Sequence, residues 1–142
     1  GWDARLEALA PARPRRYLAR LMTGVVLSQR VTFSAVHRLD GEGARDHYRM
    51  LHGHSFEVDA GVRGSADDHV GWVVDLASLR EDLEAAVAPL SGAVLNDVPG
   101  LPRATLEHLC AFVAGRLKAS HPGLAFVEVA RPSLGQRCRI AF

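Results

Sequence analysis

From Val25 to Leu39 apolar and polar side chains alternate in a run rich in valine, threonine and phenylalanine. A two-residue period puts successive side chains on opposite faces of a strand, so this run predicts a first strand, long and bulged. A similar pattern returns from Leu51 to Arg63 and predicts a second strand. Between them, Asp40-Gly-Glu-Gly43 and the polar Ala44-Arg-Asp-His47 predict an unusually long hairpin loop, the kind of segment that carries function.

The period then changes. Beyond an exit turn at Gly64-Ser-Ala-Asp-Asp68 and the short run Val70-Gly-Trp-Val-Val-Asp75, apolar residues recur at Leu76, Leu79, Leu83, Val87 and Leu90. That spacing predicts a helix over 76–90, with Asp75 as its N-cap. Leu95 to Pro102 reads as an ordered loop. Thr105 caps a second helix with Leu109, Phe112, Val113 and Leu117 on its apolar face, and His121-Pro122-Gly123 ends it. Leu124 to Ala130 and Arg137 to Phe142 predict two further strands around a turn at Ser133-Leu-Gly-Gln136.

The order β-β-α-α-β-β predicts an α+β fold, a four-stranded antiparallel sheet with two helices on one face. The edges of such a sheet stay open unless subunits pair them, so a homo-oligomer is expected. Ahead of it, helical spacing at Leu6, Leu9, Tyr17 and Leu18 is interrupted by Pro11 and Pro14. A short helix, a Pro/Arg turn and then a second short helix or an extended lead-in are expected there, as an N-terminal extension (1–22) preceding the domain over 23–142.

Composition narrows the function. A chain of 142 residues, 48% hydrophobic, builds one domain with a core. A net charge of +1 lacks the basic excess of a nucleic-acid binder. No stretch approaches the roughly 18 apolar residues of a membrane span. The arginine-rich, proline-interrupted N-terminus has no apolar signal core, so a cytoplasmic location is expected, with no nucleic-acid or membrane partner. Cys110 and Cys138 lack CxxC spacing and are expected as buried free thiols.

The chemistry gathers at His52-Gly53-His54. On a strand, both imidazoles project to one face, and the intervening glycine is expected to let something approach closely. His37 lies in the neighbouring predicted strand, where the hairpin sets it opposite the pair. Three histidines supply the ligands of a Zn2+ site with an open position. Such a metal polarises a substrate oxygen and suits enolisation, retro-aldol cleavage, elimination or hydration, each of which needs a proton shuttle within reach. A small-molecule substrate is therefore expected. Of the other histidines, His47 in the loop is a functional candidate. His108 and His121 are expected in structural roles, and His69 in a solvated turn.

Phe33-Ser-Ala-Val-His37, Leu51-His-Gly-His-Ser-Phe56, Gly71-Trp-Val-Val-Asp75, Leu95-Asn96 and Thr105-Leu-Glu107 resemble, in order and spacing, the family of 6-pyruvoyl-tetrahydropterin synthase and 6-carboxytetrahydropterin synthase. The resemblance runs from about residue 25 to the C-terminus. It implies a tunnelling fold (T-fold) that closes a β-barrel as a trimer, often stacked into a hexamer, with active sites between subunits. It implies zinc held by His37, His52 and His54.

The departures from the family pattern are as informative. Tyr48, with His47 beside it, stands where bacterial members carry a cysteine. The family's Asp-His pair before Leu-Asn is absent from Leu90-Ser-Gly-Ala-Val-Leu-Asn96. The glutamate that anchors the pterin is replaced by Arg131. A cysteine-to-tyrosine change exchanges a proton carrier of reference pKa about 8.5 for one near 10, which zinc or Arg49 would lower. A guanidinium offers only donors, so Arg131 favours a carboxylate, phosphate or keto-acid group over the pterin edge. Tyr48 and His47 are thus the acid–base candidates, and Arg131 and Arg49 the substrate-binding ones. Three readings stay open: a zinc lyase with an altered, non-pterin substrate in specialised metabolism; a synthase still acting on dihydroneopterin triphosphate; and a non-catalytic zinc-binding relative.

Overall fold

The computed structural model describes residues 22, 24–66 and 71–142. The helices expected before residue 22, and His69 with its turn, lie outside the described residues. Alternation from Val25 produces β1 (Val25–His37), and its partner β2 spans His52–Gly64. They pair antiparallel in unbroken register from Val25 opposite Gly64 to His37 opposite His52. The bulge expected in β1 is therefore not there. The irregularity lies at Gly61/Val62, where β2 pairs with β3 (Leu124–Arg131). A Cβ at Gly61 would run into the Phe126 ring, which explains a glycine at the distortion.

The long connection contains one element that was expected as loop, the single-turn α1 (Asp46–Arg49). Helix α2 covers Leu76–Val87, with the Asp75 carboxylate accepting from Ala77 N–H at 3.0 Å. It stops three residues short of the expected 90: Ala88 keeps helical geometry and its N–H still reaches the Glu84 carbonyl, but Pro89 has no N–H to continue the ladder. Leu90 is nevertheless fully buried, which is why it fitted the spacing. The ordered loop contains a one-turn 3-10 helix, Leu95–Asp97, pinned by fully buried Leu95. Helix α3 (Leu106–Leu117) is capped by Thr105, whose side chain accepts from His108 N–H. The last turn is a 3-10 helix, Pro132–Leu134, closed by Gly135 at φ 65° and leading into β4 (Gln136–Ala141).

The sheet order is β1-β2-β3-β4. One face packs Val31, Phe33, Phe56, Val58, Val127 and Val129 against Leu83, Val87, Leu109 and Val113 of the two helices. Phe33 and Phe56 stack with centroids 4.8 Å apart, across a directly opposed pair. The other face carries a charged row across all four strands. Arg30 forks onto Asp59 (2.9 and 3.1 Å), Asp59 stands opposite Glu128, and Arg139 reaches Glu128 at 2.9 Å.

Candidate metal centre

Because β1 and β2 alternate in step, His37, His52 and His54 fall on the helix-covered face, at the end of the β1–β2 pair next to the long connection. His37 is 2% exposed, and His52 and His54 are half-buried. The three rings are mutually edge-on, with centroids 4.6, 4.8 and 5.0 Å apart. One nitrogen from each lies within 4.8 Å of the others, a group able to hold a metal ion.

Two of the rings are oriented from behind. His37 Nδ1 donates to the Ala104 carbonyl and His52 Nδ1 to the Met50 carbonyl, each at 2.7 Å. A main-chain acceptor on Nδ1 fixes the tautomer that leaves Nε2 unprotonated and free to ligate. His37 Nε2 and His54 Nε2 are buried and have no hydrogen-bond partner among the described residues. Buried polar nitrogens are ordinarily satisfied, so two unpartnered ones in one cluster fit the ligands of a cation. Burial lowers the His54 imidazole to about 4, helped by the neighbouring His37, and lowers His37 as well. Neutral imidazoles are the ligating form.

Gly53 plays a different part from the one expected. Its absent side chain would lie on the opposite face, in ordinary 3.5 Å contact with Val36, so it does not open the histidine side.

Arg131 ends β3 on the histidine side of the sheet. Its Nε is buried without a partner. Burial pushes the guanidinium below its usual value, while Tyr48 and Glu107 act the other way. A cavity of about 300 Å³ is lined by His37, Thr105, Glu107, Arg131 and Cys138. Tyr48 is 38% exposed, with its ring 6.3 Å from His52 and 4.0 Å from His47. Arg49 is exposed and makes no hydrogen bond or ion pair among the described residues.

Sequence reasoning missed Glu107 as a cavity residue, since helical spacing marks only its place on α3. It also missed Ala104, whose contribution is a main-chain carbonyl and leaves no mark in side-chain pattern. The structural roles expected for the remaining histidines hold: His108 Nδ1 meets Thr105 Oγ1 at 3.0 Å, and buried His121 meets Asp82 at 2.7 Å. Both cysteines are free, but Cys138 is half-buried rather than buried. Burial, with Cys138 adding to it, pushes the Cys110 thiol up to about 12.

Three imidazoles converge on one face of an antiparallel sheet, beside a cavity, in an α+β domain whose histidine cluster could hold a metal ion. The chain belongs to the 6-pyruvoyl tetrahydropterin synthase family, whose pattern matches residues 26–139. It is 30% identical over 110 residues to human (Homo sapiens) 6-pyruvoyl tetrahydrobiopterin synthase, spanning 68% of this chain and 76% of that protein. Solved structures of 6-pyruvoyl tetrahydropterin synthase share the fold. The Caenorhabditis elegans protein superposes with a TM-score of 0.72 at 22% identity, covering 85% of this chain and 97% of that one. The Plasmodium falciparum protein superposes at 0.62 with 19% identity, covering 83% and 97%. The T-fold is therefore the fold of this chain. Among the described residues, no helix is long and apolar enough to cross a membrane.

Proposed function

We propose that this chain is a zinc-dependent lyase of its family that acts on an oxygenated, anionic, non-pterin substrate. The observation that carries this reading is Arg131, a guanidinium beside the histidine cluster with a buried, unpartnered Nε. A guanidinium has donors and no acceptor, and its fork matches a carboxylate or phosphate. The donor-bearing edge of a pterin needs the opposite partner.

The donor set fits Zn2+, which takes neutral imidazole nitrogens and keeps a position open when three protein ligands hold it. Bound by His37, His52 and His54, zinc would polarise a substrate oxygen. The chain's own residues do the rest. Arg131 holds the anionic end of the substrate in the cavity. Glu107, in the same lining, accepts from a hydroxyl or amine on it. Tyr48, its ring 6.3 Å from that of His52, moves the proton, with His47 against its ring as the relay to solvent. Arg49 adds positive charge at the mouth. Elimination, aldol-type cleavage or cyclisation are the reactions this set supports. The stretches of sheet edge that no segment pairs among the described residues, along β4 and the first part of β1, support a homo-oligomer, trimer or hexamer, and the reading is completed by a cytoplasmic setting.

One observation favours a competing reading: 30% identity to the human synthase supports retained pterin chemistry. The test separates them. Zinc-loaded protein is incubated with dihydroneopterin triphosphate and the products are identified by mass spectrometry. No carboxy- or pyruvoyl-tetrahydropterin is expected, and its appearance would overturn the altered-substrate reading. In parallel, a panel of hydroxy and keto acids and sugar phosphates is titrated calorimetrically against wild type and Arg131→Gln. Anion binding that survives the substitution unchanged removes Arg131 from its role.

A further inference from the structure

The segment that follows α2 runs beside the outer edge of β1 rather than away from it. Gly92 N–H donates to the Ser34 carbonyl at 2.7 Å, and Val36 N–H donates to the Ala93 carbonyl at 3.0 Å. Val36 and Val94 form an isolated parallel bridge. Ser34 and Val36 belong to the alternate residues of β1 whose main-chain groups point away from β2.

The next residue of that parity is Arg38. Its N–H donates to Asn96 Oδ1 at 2.9 Å, and its carbonyl accepts from Asn96 Nδ2 at 2.9 Å. One side-chain amide thus supplies both bonds that a neighbouring strand would supply with its main chain. Asn96 is itself held in the 3-10 turn whose first residue, Leu95, is fully buried.

We propose that Asn96 is a positioning residue for the metal ligand His37. Arg38 follows His37 directly and lies just past the end of β1, where the ladder to β2 has stopped. The Ala104 carbonyl fixes the rotation of the His37 ring. The Asn96 amide fixes the main chain that carries it, so ring and backbone are held from two points of the connection between α2 and α3. The Arg38 side chain takes no part, since its Nε is engaged by Asp40 at 3.0 Å. An aspartate at 96 would still accept from Arg38 N–H but could not donate to its carbonyl. This inference rests on the metal reading above.

The test measures Zn2+ affinity of the full chain by competition with a chromophoric chelator, and the visible spectrum of the Co2+-substituted protein. Variants are Asn96→Ala, Asn96→Asp and Arg38→Ala. Loss of a group that orients a ligand weakens metal binding by about 10–100-fold. That loss is expected for Asn96→Ala, with altered Co2+ bands. Asn96→Asp should be intermediate, and Arg38→Ala should match wild type. Wild-type affinity and spectrum in Asn96→Ala would overturn the proposal, as would an equal loss in Arg38→Ala. Should Asn96→Ala not fold, unchanged affinity in Asn96→Asp is equally decisive against it. A wild type that takes up no Zn2+ removes the metal reading and this one with it. Asn96 variants that match a zinc-binding wild type remove only this one.

Discussion

His37 and His52 face each other across the β1–β2 pair with ring centroids 4.6 Å apart, and each commits Nδ1 to a main-chain carbonyl at 2.7 Å. The cluster is thus oriented by the backbone before any ligand arrives. His52→Ala or His54→Ala should abolish stoichiometric zinc uptake while leaving the folded sheet, because neither ring belongs to the apolar core. Metal analysis of the purified variants, with circular dichroism as the control, checks this.

The metal-free protein should lose stability as pH falls. His54 is held at about 4 and His37 below its ordinary value, both chiefly by burial, against about 6.5 in the unfolded chain. A depressed folded value means that the unfolded chain takes up protons the folded site refuses. The contribution is fully present above about pH 6.5, falls below it, and levels off for His54 near 4. Thermal midpoints of the metal-free protein across that range test this, and His54→Gln should flatten the slope. A flat wild-type profile would contradict it.

Phe56→Ala should be among the most costly core changes. Phe56 is 1% exposed, stacks on Phe33 and borders His54 at 5.8 Å. A loss of about 3–5 kcal/mol in urea unfolding is expected, together with weakened metal binding, since the histidine rings rest against this side chain.

Asp82→Ala should destabilise without touching the metal site. Asp82 on α2 is the partner of buried His121 Nε2 at 2.7 Å, and it ties that helix to the turn before β3. Leaving the imidazole nitrogen unpaired costs about 1–3 kcal/mol. A shifted urea midpoint with unchanged zinc affinity is the expected pair of results.

Gly123→Ala should be worse than a typical loop change. A Cβ there would lie 2.7 Å from the Arg63 carbonyl oxygen, and the Gly123 carbonyl accepts from Arg63 N–H at 2.8 Å. Because the obstacle is main chain, no side-chain rotation relieves it, and about 1–3 kcal/mol of destabilisation is expected. Thermal unfolding of the variant checks it.

The sheet, both long helices and their caps were legible because each rests on a local signal. Val25 to His37 alternates, Leu76 to Val87 repeats helically, and Asp75 and Thr105 stand where caps stand. His37, His52 and His54 were legible because a hairpin converts two alternations into one shared face. What escaped has no such signal. Helix α1 is too short to show a period. The bulge belongs to Gly61 because Phe126, 65 positions further on, needs the space, and nothing near Gly61 announces it. The Asn96 clamp and the Ala104 carbonyl act on residues 58 and 67 positions away, one through an amide and one through main chain.

The charged row on the uncovered face has a role in folding fidelity. Apolar packing penalises a strand that slips by one residue, since every side chain changes face. A slip by two keeps the faces, and exposed positions alone would barely resist it. Here Asp59 stands between Arg30 and the like-charged Glu128. Sliding β1 by two residues would set Thr32 or Ser28 opposite Asp59 and take Arg30 from its two-pronged contact with that carboxylate. The row therefore favours the alignment of the strands that also brings His37 opposite His52.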